Sequence, residues 1–347
     1  MGQNTYQEEK NKLYTRKIRE LEKELPLFCT SFFRSLENYT SILTRYAYAT
    51  DLKGFFTYLC TEGVLAGREI TSLTGEDLKC IRAQDVEDYL DYEGLYLVND
   101  REVTNGERGK ARKLSTLRTF FKYCFKKEMV PSNVLTLIET PKLHEHAILR
   151  LEPNEIANLL DNAENGEGLS ERQKKYHQAT SVRDVAILSL FLGTGIRISE
   201  LVGIDRNDIN FEDNTFLVTR KGGKQSMLAF SDEVAEALLA YRLQREEIIA
   251  QEGSEEAFFL SMQKRRITVR AVENLVGKYA SVTTPKHITP HKLRSTYGTM
   301  LYRETQDIYL VADVLGHKDV NTTRKHYAAQ QEDHVRQAAK AIHLRDE

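Results

Sequence analysis

The sequence predicts a mainly α-helical chain with a small β-sheet: an N-terminal all-helical domain, a linker, and a mixed α+β domain. Three observations predict it. Apolar residues recur at helical spacing through most of the 347 residues. One stretch, 216–230 (FLVTRKGGKQSMLAF), instead sets β-branched and aromatic residues on either side of Gly222-Gly223, a two-residue turn signal that reads as a hairpin. Between the two helical regions, 139–152 (ETPKLHEHAILRLE) has no clear periodicity and reads as the linker.

Composition narrows the class. The chain is long enough for two domains, each burying its own core. No apolar run approaches the ~20 residues of a membrane span, and the first residues form a charged helix rather than a signal peptide, so a cytoplasmic location is expected. Cys29, Cys60, Cys80 and Cys124 show no CxxC spacing, and three of them sit among apolar or aromatic neighbours, as reduced core thiols do. The net charge of −2 does not by itself suggest nucleic acid. Local clustering decides that question, because phosphate contacts need cations on one surface and are indifferent to acids elsewhere.

Taken in order, residues 1–26 hold a helix (6–25) whose acids and bases alternate at helical spacing, which predicts a solvated lead-in held by i,i+4 pairs. The helical domain spans 27–138. Phe28, Phe32, Phe33 and Leu36 begin it, and Thr40 or Ser41 caps a helix with an aromatic stripe through Tyr46, Leu52, Phe55, Phe56 and Leu59, closed by Gly63. That stripe reads as core. A third helix covers 83–96 and a fourth 114–130, ending before Pro131. The turn ERGKARK feeds the fourth helix, whose apolar face is Leu114, Leu117, Phe120, Phe121 and Phe125. Its cations should therefore project together from a packed scaffold, which suits phosphate contact: Arg108, Lys110, Arg112, Lys113, Arg118 and Lys122 are the candidate DNA-binding residues.

The second domain, 153–331, opens with a helix (153–163) carrying proline in its first turn. The polar stretch 164–181 suggests no function. A buried helix, RDVAILSLFLGTG, should stop at Gly193 and Gly195, so that Arg197 emerges from a tight turn with its guanidinium fixed; Glu200, one turn on, is placed to brace an arginine. The hairpin tip carries Arg220, Lys221 and Lys224. After helices at 231–252 and 269–281, the stretch 291–327 holds His291, Arg294, His317 and, ten residues later, Tyr327. His287 and His291 have the spacing of a metal pair, but Pro290 lies between them and no HExxH glutamate is present, so no metal is expected. Residues 332–347 end in an amphipathic helix with Val335, Ala338, Ala339 and Ile342 on one face.

These residue types suit attack of a tyrosine on a phosphodiester held by fixed cations. A phosphodiester gains negative charge toward a five-coordinate transition state, and arginine keeps its proton while offering a planar fork to two oxygens. Histidine can donate to an oxygen or accept a proton near neutrality. The sequence has no P-loop and no carboxylate cluster for two metal ions, so neither nucleotide nor cofactor is expected.

In TGIRISEL, HKLR, LGH and the tyrosine that follows, the chain resembles the tyrosine recombinases, the phage-integrase and Xer family, over roughly residues 27–345. The resemblance implies a helical core-binding domain joined to a tyrosine-recombinase catalytic domain. It also implies a catalytic set of Arg197, Lys221, His291, Arg294, His317 and the nucleophile Tyr327, with Glu200 in support. The implied activity is cutting and rejoining double-stranded DNA through a 3′-phosphotyrosyl intermediate, by a homotetramer whose terminal helix docks on a neighbouring protomer. A type IB topoisomerase-like activity and a non-catalytic DNA-binding regulator are the alternatives.

Overall fold

The computed structural model describes residues 5–98, 101–141, 149–220, 223–316 and 320. The chain divides into two units, Met1–Glu145 and His146–Glu347.

In the first unit α1 (Thr5–Glu22) is more than a solvated lead-in. Ile18 is buried, Leu21 packs against the core, and the Tyr14 ring meets Tyr46 edge-on at 5.2 Å. The charges take the outer face, while Tyr14, Ile18 and Leu21, three or four residues apart, form one packing stripe. It docks on α3 (Ile42–Thr61), which follows α2 (Leu27–Ser35). Ser41 caps α3 by accepting from the Thr44 amide at 3.2 Å. The stripe is core as its spacing predicts except at its first residue: Leu52, Phe55, Phe56 and Leu59 are fully buried beside Phe32, Phe120 and Phe121, whereas Tyr46 is half-buried against Tyr14. Cys29, Cys60 and Cys124 are buried with them while Cys80 is exposed, and burial pushes the Cys124 thiol up to about 12.

After α4 (Gly75–Lys79), α5 (Ala83–Tyr92) stops four residues short of the expected end. The chain then forms a short antiparallel hairpin, β1 (Tyr96–Val98) and β2 (Arg101–Val103), so this unit is not all-helical. Glu93, 3% exposed, ties the hairpin's root: its backbone carbonyl accepts from the Asn105 amide at 3.2 Å, and its carboxylate accepts from Asn105 Nδ2 at 2.6 Å and Lys113 Nζ at 2.8 Å. The following helix, α6 (Glu107–Lys126), includes the whole of ERGKARK. Its buried face carries Leu114, Leu117, Phe120, Phe121 and Cys124, but Phe125 lies outside it, 48% exposed.

In the second unit α7 (Pro153–Asn165) begins at its proline, and α8 (Glu171–Thr194) begins earlier than expected. The polar stretch that suggested no function supplies its first turns, capped by Ser170 and Gln173. Three of its polar side chains or their neighbours are inward-facing. Asp184, 1% exposed, accepts from Thr180 at 3.0 Å and from the Tyr279 hydroxyl at 2.9 Å, and pairs with Arg183 at 2.6 Å and Lys278 at 2.9 Å. The buried His177 meets the same hydroxyl at 3.0 Å. An ion this deep is tolerated because its lone pairs are taken. Gly193 is not a stop: it lies within α8, where a Cβ would sit 2.4 Å from Val234 of α10 (Asp232–Glu246), so it permits a close crossing of the two helices.

Beyond the single-turn α9 (Ile198–Leu201), β3 (Ile209–Asn210), β4 (Thr215–Thr219) and β5 (Gln225–Ala229) form an antiparallel sheet in that order. Then come α10, which ends at Glu246 rather than 252, α11 (Val269–Thr283), α12 (Pro290–Thr305) and α13 (Ile308–Leu315). α8 packs against α7, α10 and α12. Among the described residues no helix is long and apolar enough to cross a membrane.

Glu155 joins the start of α7 to the segment before α12. Burial alone would raise its pKa, but hydrogen bonds from Lys286 at 2.6 Å, the Glu152 amide at 2.8 Å and Thr284 at 2.7 Å lower it to about 2. A depressed carboxylate stabilises the fold above the unfolded pKa, and that contribution fades as pH falls from ~4.3 toward 2. With the side chain 17% exposed, the contribution is on the order of 2 kcal/mol. Glu155→Gln should therefore destabilise the protein in urea at pH 7 and flatten the pH dependence of stability between pH ~4 and ~2; an unchanged acid-side slope would contradict this account.

Candidate active site

Three arginines far apart in sequence meet at the C-terminal end of α13. A helix leaves its last carbonyls without intrahelical partners and carries partial negative charge there. Gly316 turns the chain out of α13 at φ 60°, and Val314, Leu315 and Gly316 each present a carbonyl. Arg220 donates to Val314 O at 3.1 Å, Arg294 to Leu315 O, and Arg197 to Gly316 O at 2.9 Å.

Local sequence delivers each one. α8 ends at Gly195, left-handed at φ 60°, where a Cβ would lie 2.5 Å from the Tyr297 ring and 2.8 Å from Leu315; only glycine suits both the backbone and the space. Two residues later Arg197 is the N-cap of α9. Glu200, 6% exposed, accepts from the Arg197 amide at 3.0 Å and pairs with its guanidinium at 2.8 Å, the bracing its position predicts. The Arg197 side chain keeps 35% of its surface exposed.

Arg294 comes from α12, which begins at Pro290. Its guanidinium, 6% exposed, bridges Gly195 O at 2.5 Å to Leu315 O, binding the end of α8 to the end of α13. His291, one turn earlier, is exposed. His287 is also exposed and precedes α12, so it does not share a helical face with His291 as a metal pair would. Ser295 and Thr296 are buried, and Thr296 accepts from the Leu151 amide at 3.0 Å, so they pack the helix into the unit.

The structure thus gathers Arg197, Glu200 and Arg294. Lys221, His317 and Tyr327 lie outside the described residues, as does the terminal helix at 332–347. The hairpin loop is longer than a two-residue turn: the last strand pair is Thr219↔Gln225, and the Arg220 amide donates to Lys224 O at 2.7 Å. Arg220 is not a solvent-facing tip residue. The signal for its placement was period-2 alternation, because Phe216 and Val218 are buried on β4 and residue 220 continues that face.

On α6 the candidate cations separate into kinds. Arg108 and Lys122 are exposed and Lys110 is half-buried. Arg112 pairs in fork geometry with buried Asp51, with one bond at 2.7 Å, although its own side chain is 53% exposed. Arg118 donates to Thr140 at 2.6 Å and to Ile138 O at 2.5 Å. Lys113 does not project with the others: it is buried, paired to Glu93 and within reach of the Tyr89 hydroxyl at 3.5 Å. Starting α6 seven residues earlier than expected turns this side chain inward.

Residues 149–334 match the phage integrase family. The chain is 32% identical over 346 residues to tyrosine recombinase XerS of Streptococcus thermophilus, covering 90% of this chain and 95% of the relative. It is 30% identical to tyrosine recombinase XerC of Syntrophus aciditrophicus, covering 85% and 90%. Its fold resembles that of the XerH site-specific recombinase bound to a difH substrate, with a TM-score of 0.63, 21% identity and coverage of 92% and 83%. It also resembles a lambda integrase dimer bound to a COC′ core site, with a TM-score of 0.60, 16% identity and coverage of 86% and 75%. The chain belongs to the phage integrase family. Within it, the chain is a tyrosine-type site-specific recombinase.

Two glycines test the geometry. Gly195 and Gly223 both have positive φ, 60° and 79°, but a Cβ meets close neighbours only at Gly195. Gly195→Ala should cost upwards of about 2 kcal/mol and Gly223→Ala about 1 kcal/mol, read by chemical denaturation; equal costs would show that the space around Gly195 is not tight.

Proposed function

We propose that this protein cuts and rejoins duplex DNA at a specific site through a covalent 3′-phosphotyrosyl intermediate, acting as a homotetramer in the cytoplasm. The observation that carries the reading is the seating of Arg197 and Arg294 on adjacent carbonyls. Two permanent charges are fixed before any substrate arrives, as stabilisation of a phosphoryl transition state requires. Arg197 uses two of its five donors on Glu200 and Gly316 and keeps an exposed edge for a nonbridging oxygen. Arg294 adds charge one carbonyl away and holds the two helix ends together.

In this reading the Tyr327 oxygen attacks phosphorus, forming a Tyr–O–P bond as the P–O5′ bond breaks. A free phenol has a pKa near 10, so only about one part in a thousand is ionised at pH 7. His291 accepts the phenolic proton, and His317 donates to a nonbridging oxygen. Lys221 protonates the departing 5′-oxygen. One phosphoester replaces another, so a second strand's 5′-hydroxyl can reverse the step with no external energy source and no metal. Support for a DNA substrate comes from the relatives seen in DNA complexes, XerH and lambda integrase, and from the cations on α6. The 27–138 and 153–331 segments are proposed as the core-binding and catalytic domains, with 332–347 docking on the next protomer. The partners are double-stranded DNA and other copies of this chain.

A nicked suicide duplex tests the chemistry. The parent protein should trap a covalent adduct, Tyr327→Phe none, and Arg197→Lys and Arg294→Lys at least about 100-fold less per unit time. Adduct formation by the Phe variant would sink the assignment. Salt dependence tests the α6 surface: Arg108→Ala and Lys122→Ala should each reduce the slope of log affinity against log salt by about one. Lys113→Met should leave that slope unchanged while altering stability, as expected for a cation already neutralised by Glu93.

A further inference from the structure

The unassigned feature beside the two site arginines is Arg220. It directly follows β4, where the period-2 face of Phe216 and Val218 leads it inward, and it is half-buried. Its Nη2 donates to Val314 O at 3.1 Å, and its guanidinium lies so close over Gly316 that a Cβ there would meet Nη1 at 1.4 Å. Its Nε is buried without a hydrogen-bond partner among the described residues. A surface arginine placed for solubility or general phosphate attraction would keep its donors in water. This one buries Nε and turns Nη2 to a carbonyl of the same helix end that holds Arg197 and Arg294. Its amide meanwhile closes the loop by donating to Lys224 O at 2.7 Å. Side chain and backbone of a single residue thus tie the β4–β5 hairpin to the C-terminal end of α13.

We infer that Arg220 is a positioning residue: it latches the hairpin that carries Lys221 to the carbonyl row seating the two site arginines, fixing the hairpin for protonation of the leaving 5′-oxygen. This rests on the proposed role of Lys221, its sequence neighbour. Arg220 itself touches neither DNA nor the reacting atoms. The proton passes from the Lys221 ammonium to O5′ as the P–O5′ bond breaks, and Arg220 gains and loses nothing.

The test uses two nicked suicide duplexes, one with the ordinary phosphodiester and one with sulfur in place of the bridging 5′-oxygen. A thiolate, whose conjugate acid has a pKa of about 8.5, departs without a proton donor. Arg220→Ala should cleave the ordinary duplex about 10- to 100-fold more slowly than the parent and the sulfur duplex within about threefold of it, with an unchanged melting temperature. Lys221→Ala should show the same rescue from a deeper loss, and Arg220→Lys, which keeps the charge and one donor, should fall between. Should Arg220→Ala melt early, Arg220→Gln is read in its place. Equal slowing on both duplexes, or parental rates on both, would overturn the inference. Rescue of Lys221→Ala without rescue of the Arg220 variants removes the inference alone. Absence of rescue for Lys221→Ala removes the assignment of the lysine and the inference with it.

Discussion

The site rests on the exposed backbone at one helix end. α13 runs only from Ile308 to Leu315, and the carbonyls at its end are met by guanidinium groups drawn from the residue after β4, from α12 and from the turn after α8. Each side solves the other's problem. Carbonyls at a helix terminus need donors, and clustered guanidinium groups need something to hold them against mutual repulsion. Glu200 supplies a full counter-charge on Arg197, and backbone carbonyls meet all three guanidinium groups. The left-handed glycines at 195 and 316 let the helix ends come close enough for this to work.

Much of this was legible in the sequence. The glycine stop at 195 and the bracing glutamate follow from local chemistry, TGIRISEL and HKLR point to Arg197 and Arg294 through the family resemblance, and most of the aromatic stripe of α3 follows from helical period. What the sequence concealed depends on partners far along the chain. The charged residues of α1 hid a packing stripe of Tyr14, Ile18 and Leu21, because alternating charge dominates a helix that buries only one narrow face. Gly193 looked like a stop because the reason for a glycine there, Val234, lies far along the chain on α10. The polar stretch 164–181 suggested no function because the partner of its buried His177, Tyr279, belongs to α11.

The first unit shows the same division for charge. A near-neutral chain can still present a basic surface if its acids are spent internally, and Asp51 and Glu93, at 2% and 3% exposure, are spent in that way. They consume Lys113 and part of the capacity of Arg112, and leave Arg108 and Lys122 to solvent. Helical spacing shows which cations could share a face; only the positions of the buried acids show which of them are already neutralised.

The small size of the cluster beneath α13 has a consequence for how variants are read. Among the described residues, Val311 and Leu315, with Tyr297, Leu301, Tyr302 and Ile308 around them, form a small cluster, and the end of α13 is held by polar bonds as well. The guanidinium groups are therefore staples of the scaffold. Truncating Arg294, which bridges two helix ends, loosens that scaffold, so a rate loss on its alanine substitution overstates what the missing charge does.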